Sequence, residues 1–168
     1  MNTLYLLTGP TGVGKSTISK QIAEKLSKSA VIDGDEIYHQ VVGSYASPWK
    51  EHNHLKLFWN VTEMLIETYL KEEYDVVFNY FITREIYHEL VNRFKGYDVR
   101  FAVLVASMET IKRRDNGRTD LLKSKDRFMV SVEEFKRQGF PLKYFIFTDV
   151  LMPGDVAHEV IKDVKFKV

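Results

Sequence analysis

Short apolar runs alternate along the chain with longer amphipathic stretches. The apolar runs predict five strands, at Leu4–Thr8, Ala30–Asp33, Val76–Phe81, Arg100–Ala106 and Tyr144–Thr148. These runs are nearly continuous in apolar residues, which is typical of parallel strands buried on both faces. The amphipathic stretches predict helices at Lys15–Ser27, Glu36–Val42, His54–Lys71, Thr83–Phe94 and Asp155–Val164, and a short helix that opens at Ser131–Glu134. The alternation predicts an α/β fold, a three-layer sandwich with a five-stranded parallel sheet between helices.

Composition and charge are those of one folded domain. The chain has 168 residues, of which 45% are apolar and 28% charged, enough for a proper core. Its 24 Lys and Arg against 23 Asp and Glu give a net charge of +1, which argues against nucleic acid as a partner. The absence of cysteine excludes disulfides and thiolate metal sites. Because no long apolar stretch and no basic signal region occur, we expect a soluble, cytoplasmic protein without a membrane span.

A phosphate-binding motif lies between the first predicted strand and the first predicted helix. Its spacing is G-x-x-x-x-G-K-S, in which glycines let backbone N–H groups converge on phosphate oxygens at a helix N-terminus. We expect Lys15 to reach the β- and γ-phosphates of ATP and the Ser16 hydroxyl to bind Mg²⁺. A plain glycine-rich turn would need neither residue. The predicted nucleotide-binding residues are Gly9, Pro10, Thr11, Gly12, Val13, Gly14, Lys15, Ser16 and Thr17.

Two carboxylates follow the second predicted strand, in Asp33-Gly34-Asp35. Ligands of open parallel sheets bind at the carboxyl ends of the strands, where both side chains are expected. A carboxylate there can accept the proton of a hydroxyl that attacks a phosphate. We assign this role to Asp35 and a metal-orienting or acceptor-orienting role to Asp33. The alternative is ordinary turn chemistry, with Asp35 as the N-cap of the next helix.

Together, these two motifs resemble the P-loop small-molecule kinases of the nucleoside-monophosphate-kinase-like group. That group includes gluconate kinase, shikimate kinase, adenylylsulfate kinase and chloramphenicol phosphotransferase, and the segment Ala30–Asp35 is most similar to gluconate kinase and adenylylsulfate kinase. The resemblance implies a strand order of 2-3-1-4-5 and a single kinase domain over residues 1–168. It also implies an acceptor-binding subdomain at about 36–74 and a lid at about 113–130. Since dimers occur in the group, a homodimer is compatible with the resemblance.

An arginine-rich segment follows the fourth predicted strand. Arg114 and Arg118 are four residues apart and therefore share one helical face. Taken alone, the segment is explained better by a solvated helix end than by a functional role. In the resembled kinases a lid at this place supplies arginines, whose planar guanidinium groups bind phosphate oxygens with two N–H donors. The resemblance implies that Arg114 and Arg118 close over the phosphates, with Arg113 and Arg127 as further candidates.

The acceptor side is less clearly defined. The resemblance places the acceptor near Asp33, Asp35, Tyr38, Asn79 and Arg84. Many phosphate-loop proteins carry an aspartate at the end of the third strand, where this chain has Asn79. The Asp- and Arg-rich acceptor segment typical of gluconate kinase is not recognisable between residues 38 and 60, a region that is rich in aromatic residues instead. This composition favours an acceptor that is larger or less polar than gluconate.

These features predict an ATP- and Mg²⁺-dependent kinase that phosphorylates a hydroxyl of a small molecule. The resemblance also implies that the loop Thr148–Asp155 packs against the adenine base. One alternative is a nucleotide-binding regulatory or NTP-hydrolysing module, which the neutral Asn79 favours. Others are an antibiotic-modifying phosphotransferase, a nucleotide kinase, or an end-kinase of nucleic acid, against which the net charge argues.

Overall fold

One parallel sheet forms the centre of the molecule, whose computed structural model describes residues 2–43, 52–116, 135 and 137–168. Its strands are β1 (Thr3–Thr8), β2 (Ser29–Asp33), β3 (Asp75–Asn79), β4 (Asp98–Val105) and β5 (Phe145–Phe147). Their spatial order is β2-β3-β1-β4-β5, and all pairs are parallel. The predicted α/β class and the strand order implied by the resemblance are confirmed.

Six α-helices lie in the described part of the chain. They are α1 (Lys15–Glu24), α2 (Gly34–Tyr38), α3 (His52–Lys71), α4 (Arg84–Arg93), α5 (Met108–Asn116) and α6 (Pro153–Lys162). Short 3₁₀ turns span Leu142–Tyr144 and Val164–Phe166. The start of the helix predicted at Ser131–Glu134 and the predicted lid from residue 117 to 130 lie outside the described residues.

Helix α2 corrects one prediction from the sequence. It spans Gly34–Tyr38 and not Glu36–Val42. The side chain of Asp33 accepts a hydrogen bond from Asp35 N at 3.0 Å, so the N-cap is Asp33 and not Asp35. Helix α1 also ends earlier than predicted, at Glu24 instead of Ser27, because the chain tightens there into hydrogen bonds between residues three apart.

Helices cover both faces of the sheet. Helix α1 contacts β2 and β3 and packs against α6. On the opposite face, the ring of Trp59 in α3 lies 6.1 Å from that of Phe78 in β3. On that face the ring of Tyr87 in α4 lies 4.5 Å from that of Phe101 in β4. Because both faces are covered, the central strands are mostly apolar and almost fully buried, as the continuous runs predicted.

The loop after β3 is fixed to the end of β1. Tyr80 N donates to the Leu7 carbonyl oxygen at 3.2 Å, and Ile82 N donates to the Thr8 hydroxyl at 2.9 Å. Thr8 is fully buried, so both bonds are shielded from water. They fix the carboxyl ends of β1 and β3 next to each other, at the edge of the sheet where the candidate site lies.

Helix α3 is amphipathic over its length. Phe58, Ile66 and Leu70 are buried, while Glu67 forms ion pairs with Lys71 and with Arg93 of α4 at the surface. Within the ranges that the structure describes, no helix combines the length and the apolar character needed to span a membrane.

The contact between Gly34 and Tyr80 generates the first prediction. An added Cβ at Gly34 would lie 2.7 Å from Tyr80 Cγ, too close for the ring to escape by a rotation of its far end. We expect Gly34→Ala to lower the free energy of unfolding by about 1–3 kcal/mol, measured by urea denaturation. Gly96→Ala is the control, because a Cβ there meets no heavy atom within 4 Å. Equal effects of the two substitutions would contradict this close packing.

Candidate active site

The phosphate-binding loop joins β1 to α1. Three of its glycines, Gly9, Gly12 and Gly14, have φ values of 146°, 84° and 104°, which side chains other than glycine rarely adopt. Gly14 is the N-cap of α1, and no side chain caps that helix end. The first N–H groups of a ten-residue helix therefore face the loop, which is an arrangement that binds phosphate.

Lys15 lies across this loop. Its Nζ donates to the carbonyl oxygens of Gly9 at 3.0 Å and Pro10 at 3.1 Å. These bonds hold the ammonium group against the loop backbone, so the positive charge is placed where the loop would bind phosphate.

Ser16 and Asp33 meet at the carboxyl ends of the strands. The Ser16 hydroxyl donates to Asp33 Oδ2 at 2.7 Å, while Asp33 Oδ1 caps α2. A hydroxyl beside a carboxylate supplies the hard oxygen ligands that Mg²⁺ prefers, so these two residues fit the metal. No cluster of three or more His, Cys, Asp or Glu occurs among the described residues, so most of the remaining ligands would come from nucleotide and water.

Asp35 and Tyr38 point to different environments. Asp35 is exposed in the first turn of α2, beside the Ser16–Asp33 pair. Tyr38 is only 2% exposed, and its ring stacks on His54 with centroids 4.6 Å apart. Because Asp33 caps the helix, the Asp35 carboxylate is not needed for that role. The burial of Tyr38 favours packing over contact of its ring with an acceptor.

Asn79 ends β3 and is 1% exposed. It pairs in register with Asp33 of β2 and Leu7 of β1. Residues paired in register emerge on the same face of a sheet, so Asn79 lies on the α1 face, with Asp33. The resemblance placed Asn79 at the acceptor, and in the structure it lies on the same face of the sheet as Asp33.

Arg84 begins α4 and is exposed. Its backbone N donates to Gln138 Oε1 at 2.8 Å, and its Nη1 donates to the Gly139 carbonyl oxygen at 3.2 Å. These contacts tie the start of α4 to the segment that follows the predicted lid. Its guanidinium group therefore bonds to the backbone of that segment.

Arg114 contacts the phosphate-binding loop on the side of the loop that faces the end of β5. Its Nη1 donates to the Val13 carbonyl oxygen at 2.9 Å and to Thr148 Oγ1 at 3.1 Å, and its Nη2 donates to the Thr148 carbonyl oxygen at 2.7 Å. The sequence analysis expected this side chain over the phosphates. Here it joins the loop to the end of β5. Arg113 is exposed and near Thr110 at 3.5 Å, whereas Arg118 and Arg127 lie outside the described residues.

A cavity of about 310 Å³ lies beside Arg114. It is lined by the loop and start of α1 (Gly12, Val13, Gly14, Thr17 and Ile18) and by Arg114, Thr148, Leu151, Pro153 and Val156. Its polar and apolar walls at the β5 end of the loop suit a nucleobase. The sequence analysis named the loop Thr148–Asp155 for this role but did not commit its residues, because a strand followed by a turn carries no specific signal.

Asp149 fixes the start of α5 next to this cavity. Its Oδ1 accepts hydrogen bonds from Ser107 N at 2.9 Å and Ser107 Oγ at 2.5 Å. These bonds to the ionised form lower the pKa of the Asp149 carboxyl below its ordinary value. The contact fixes the N-terminus of α5, the helix that carries Arg114.

Comparison with known proteins identifies the family. Residues 4–142 match the family model described as an AAA domain, so the chain belongs to this family. The match includes the phosphate-binding loop, Asp33, Asp35 and Asn79.

Solved structures share the fold at low sequence identity. A sugar kinase from Janibacter sp. HTCC2649 has a TM-score of 0.72 and 13% identity, with 99% of this chain and 96% of that chain covered. The Deinococcus radiodurans tunicamycin resistance protein has a TM-score of 0.67 and 18% identity, with coverages of 98% and 96%. The Mycobacterium tuberculosis APS kinase CysC, in complex with AMPPNP and APS, has a TM-score of 0.64 and 19% identity, with 95% of each chain covered. The resemblance to P-loop kinases of the nucleoside-monophosphate-kinase-like group is confirmed at the level of fold.

The position of Arg114 generates the second prediction. Since it supports the loop from the cavity side, Arg114→Ala is expected to weaken binding of ADP and of AMPPNP alike, by about tenfold, because three hydrogen bonds are lost. Isothermal titration calorimetry with both nucleotides checks this. Arg113→Ala is the matched control and is expected to leave both affinities unchanged. A loss confined to AMPPNP would instead favour a lid role over the terminal phosphate.

Proposed function

We propose that this protein is an ATP- and Mg²⁺-dependent kinase that transfers the γ-phosphate of ATP to a hydroxyl of a small molecule. The observation that carries the proposal is the Ser16–Asp33 hydrogen bond of 2.7 Å beside the exposed Asp35. It brings a phosphate-binding loop and a free carboxylate to one edge of the sheet. A module that only binds nucleotide needs the first and not the second.

Each residue has a separate task in the proposed reaction. The N–H groups of the loop and Lys15 bind the phosphates, and Ser16 with Asp33 holds Mg²⁺. When bound, the metal neutralises phosphate charge. Asp35 accepts the proton of the attacking hydroxyl while the acceptor is held in line. Arg118, in the predicted lid, is proposed to close over the phosphates, and Arg114 to fix the loop at the nucleobase end.

The acceptor is proposed to be small and bound on the β2 side of the loop. Asp35 and Glu36 are both exposed in the first turn of α2, which follows β2. Tyr38 at the end of α2 packs on Phe58, which packs on Tyr80, and all three side chains are buried. An uncharged acceptor with several hydroxyl groups fits these surroundings best, because exposed carboxylates repel an anionic one.

A nucleotide-binding or NTP-hydrolysing module is the second candidate. The neutral Asn79 at the end of β3 favours it, because many phosphate-loop proteins have a carboxylate at this position. The two candidates differ in whether turnover of ATP depends on an acceptor.

The third prediction tests the proposed reaction directly. ADP release from Mg·ATP is measured across sugars, sugar acids, shikimate, nucleosides, nucleotides, adenylylsulfate and hydroxylated antibiotics. We expect turnover that depends on one acceptor class and that Lys15→Met abolishes, since this substitution removes a phosphate contact and leaves the core intact. Slow ATP hydrolysis that no acceptor changes would favour the module instead.

The fourth prediction concerns the base. Asp35→Asn is expected to reduce phosphoryl transfer by about 10²–10⁴-fold, since the amide cannot accept the proton, while the affinity for ATP stays the same. Glu36→Gln is a matched control, because it removes a neighbouring exposed carboxylate from the same helical turn. A thermal shift without loss of transfer in Asp35→Asn would contradict the assignment.

A further inference from the structure

The amide of Asn79 is an unusual group in the interior of this protein. The residue is 1% exposed, and no atom of the described residues accepts a hydrogen bond from its Nδ2. Buried donors of this kind are rare because the amide loses its water and gains no partner. The Asn79 Nδ2 group is therefore a donor that a bound ligand could use.

The placement of Asn79 indicates which ligand group this is. Asn79 shares its face of the sheet with Asp33, whose carboxylate accepts from Ser16. The next residue toward the N-terminus, Phe78, faces α3, where its ring lies 6.1 Å from Trp59. The alternation of strand side chains thus confirms that Asn79 is directed to the side of α1 and the phosphate-binding loop.

The order of the strands determines on which side of the phosphate-binding loop each part of the site lies. Arg114, Thr148 and the nucleobase cavity lie at the β4–β5 side of the loop, which itself follows β1. Asn79 is on β3, on the other side of β1, and Asp33 and Asp35 follow on β2. A phosphate chain that starts at the cavity and crosses the loop therefore brings its terminal phosphate nearest to Asn79.

We propose that Asn79 binds the terminal phosphate of the nucleotide, with its Nδ2 donating a hydrogen bond to a γ-phosphate oxygen. This inference rests on the nucleotide-binding part of the proposed function and not on the acceptor. An ionised carboxylate at this position could only accept a hydrogen bond, and it would add a second negative charge beside Asp33. The amide donates to an anionic oxygen without adding charge, and a buried bond of this type is strong.

The fifth prediction uses Asn79→Leu, which keeps the number and branching of the side-chain heavy atoms but has no donor. Because it removes the unpartnered donor, we expect the melting temperature of the nucleotide-free protein to stay the same or rise. The dissociation constant for Mg·AMPPNP, measured by calorimetry, is expected to rise about tenfold or more, while that for ADP changes less than about twofold. Thr62→Val is the matched control: its hydroxyl is also buried without a partner among the described residues, but lies on α3. Its removal should leave both affinities unchanged.

A second variant, Asn79→Asp, distinguishes two possible roles of the Asn79 side chain. One is to donate a hydrogen bond to phosphate, and the other is to accept a hydrogen bond from metal-bound water. The proposal requires weaker binding of Mg·AMPPNP, because a donor becomes a second negative charge beside Asp33. Equal or tighter binding in Asn79→Asp would overturn it, as would a lower melting temperature with unchanged nucleotide affinity in Asn79→Leu. None of these measurements uses an acceptor. Wild-type protein that binds Mg·AMPPNP through Asn79 but never phosphorylates an acceptor would therefore contradict the proposed kinase and leave this inference standing.

Discussion

The carboxylate of Asp33 connects the two halves of the candidate site. One oxygen accepts from Ser16 at the start of α1, and the other caps α2 through Asp35 N. The phosphate-binding loop and the acceptor side are thereby joined through one side chain at the end of one strand. Its position in turn depends on Gly34, against which the Tyr80 ring packs, and on the loop after β3, which is fixed to β1 by Thr8. Loss of this carboxylate would remove the partner of the Ser16 hydroxyl and the cap of α2 together.

The phosphate-binding loop is held from its other side by a separate set of contacts. Arg114 bonds to Val13 of the loop and to Thr148 after β5, and Asp149 fixes the start of the helix that carries Arg114. These contacts lie across β1 from Asp33, so the loop is supported at both ends by residues far apart in sequence. The bond from Arg114 to the Val13 carbonyl oxygen supports the backbone of the phosphate-binding loop.

The fold could be predicted from the sequence more fully than the roles of single residues. Strands and helices follow from apolar periodicity, and the phosphate-binding loop follows from glycines that must adopt positive φ. The N-cap could not be assigned, because Asp33 and Asp35 are equally suited to it and only the end of β2 decides between them. The burial of Tyr38 depends on His54 and Phe58 of another helix, and the role of Arg114 depends on Thr148, thirty-four residues later. The burial of Tyr38 and the contacts of Arg114 are therefore determined by packing between residues far apart in sequence, which local sequence patterns do not encode.

The third strand ends in Asn79, a buried amide whose Nδ2 has no partner among the described residues. A buried amide with an unpartnered donor lowers stability, whereas an apolar side chain of equal size would pack there without loss. Asn79 pairs in register with Asp33, whose carboxylate accepts from the Ser16 hydroxyl, so it lies next to the pair that fits Mg²⁺. Because Asn79 is neutral, the carboxylates at the strand ends of the described site are those of Asp33 and Asp35. Asp33 accepts a hydrogen bond from Ser16, and Asp35 is exposed. In the proposed function, this distribution of charge avoids a further carboxylate beside Asp33 and leaves the exposed Asp35 to act on the acceptor.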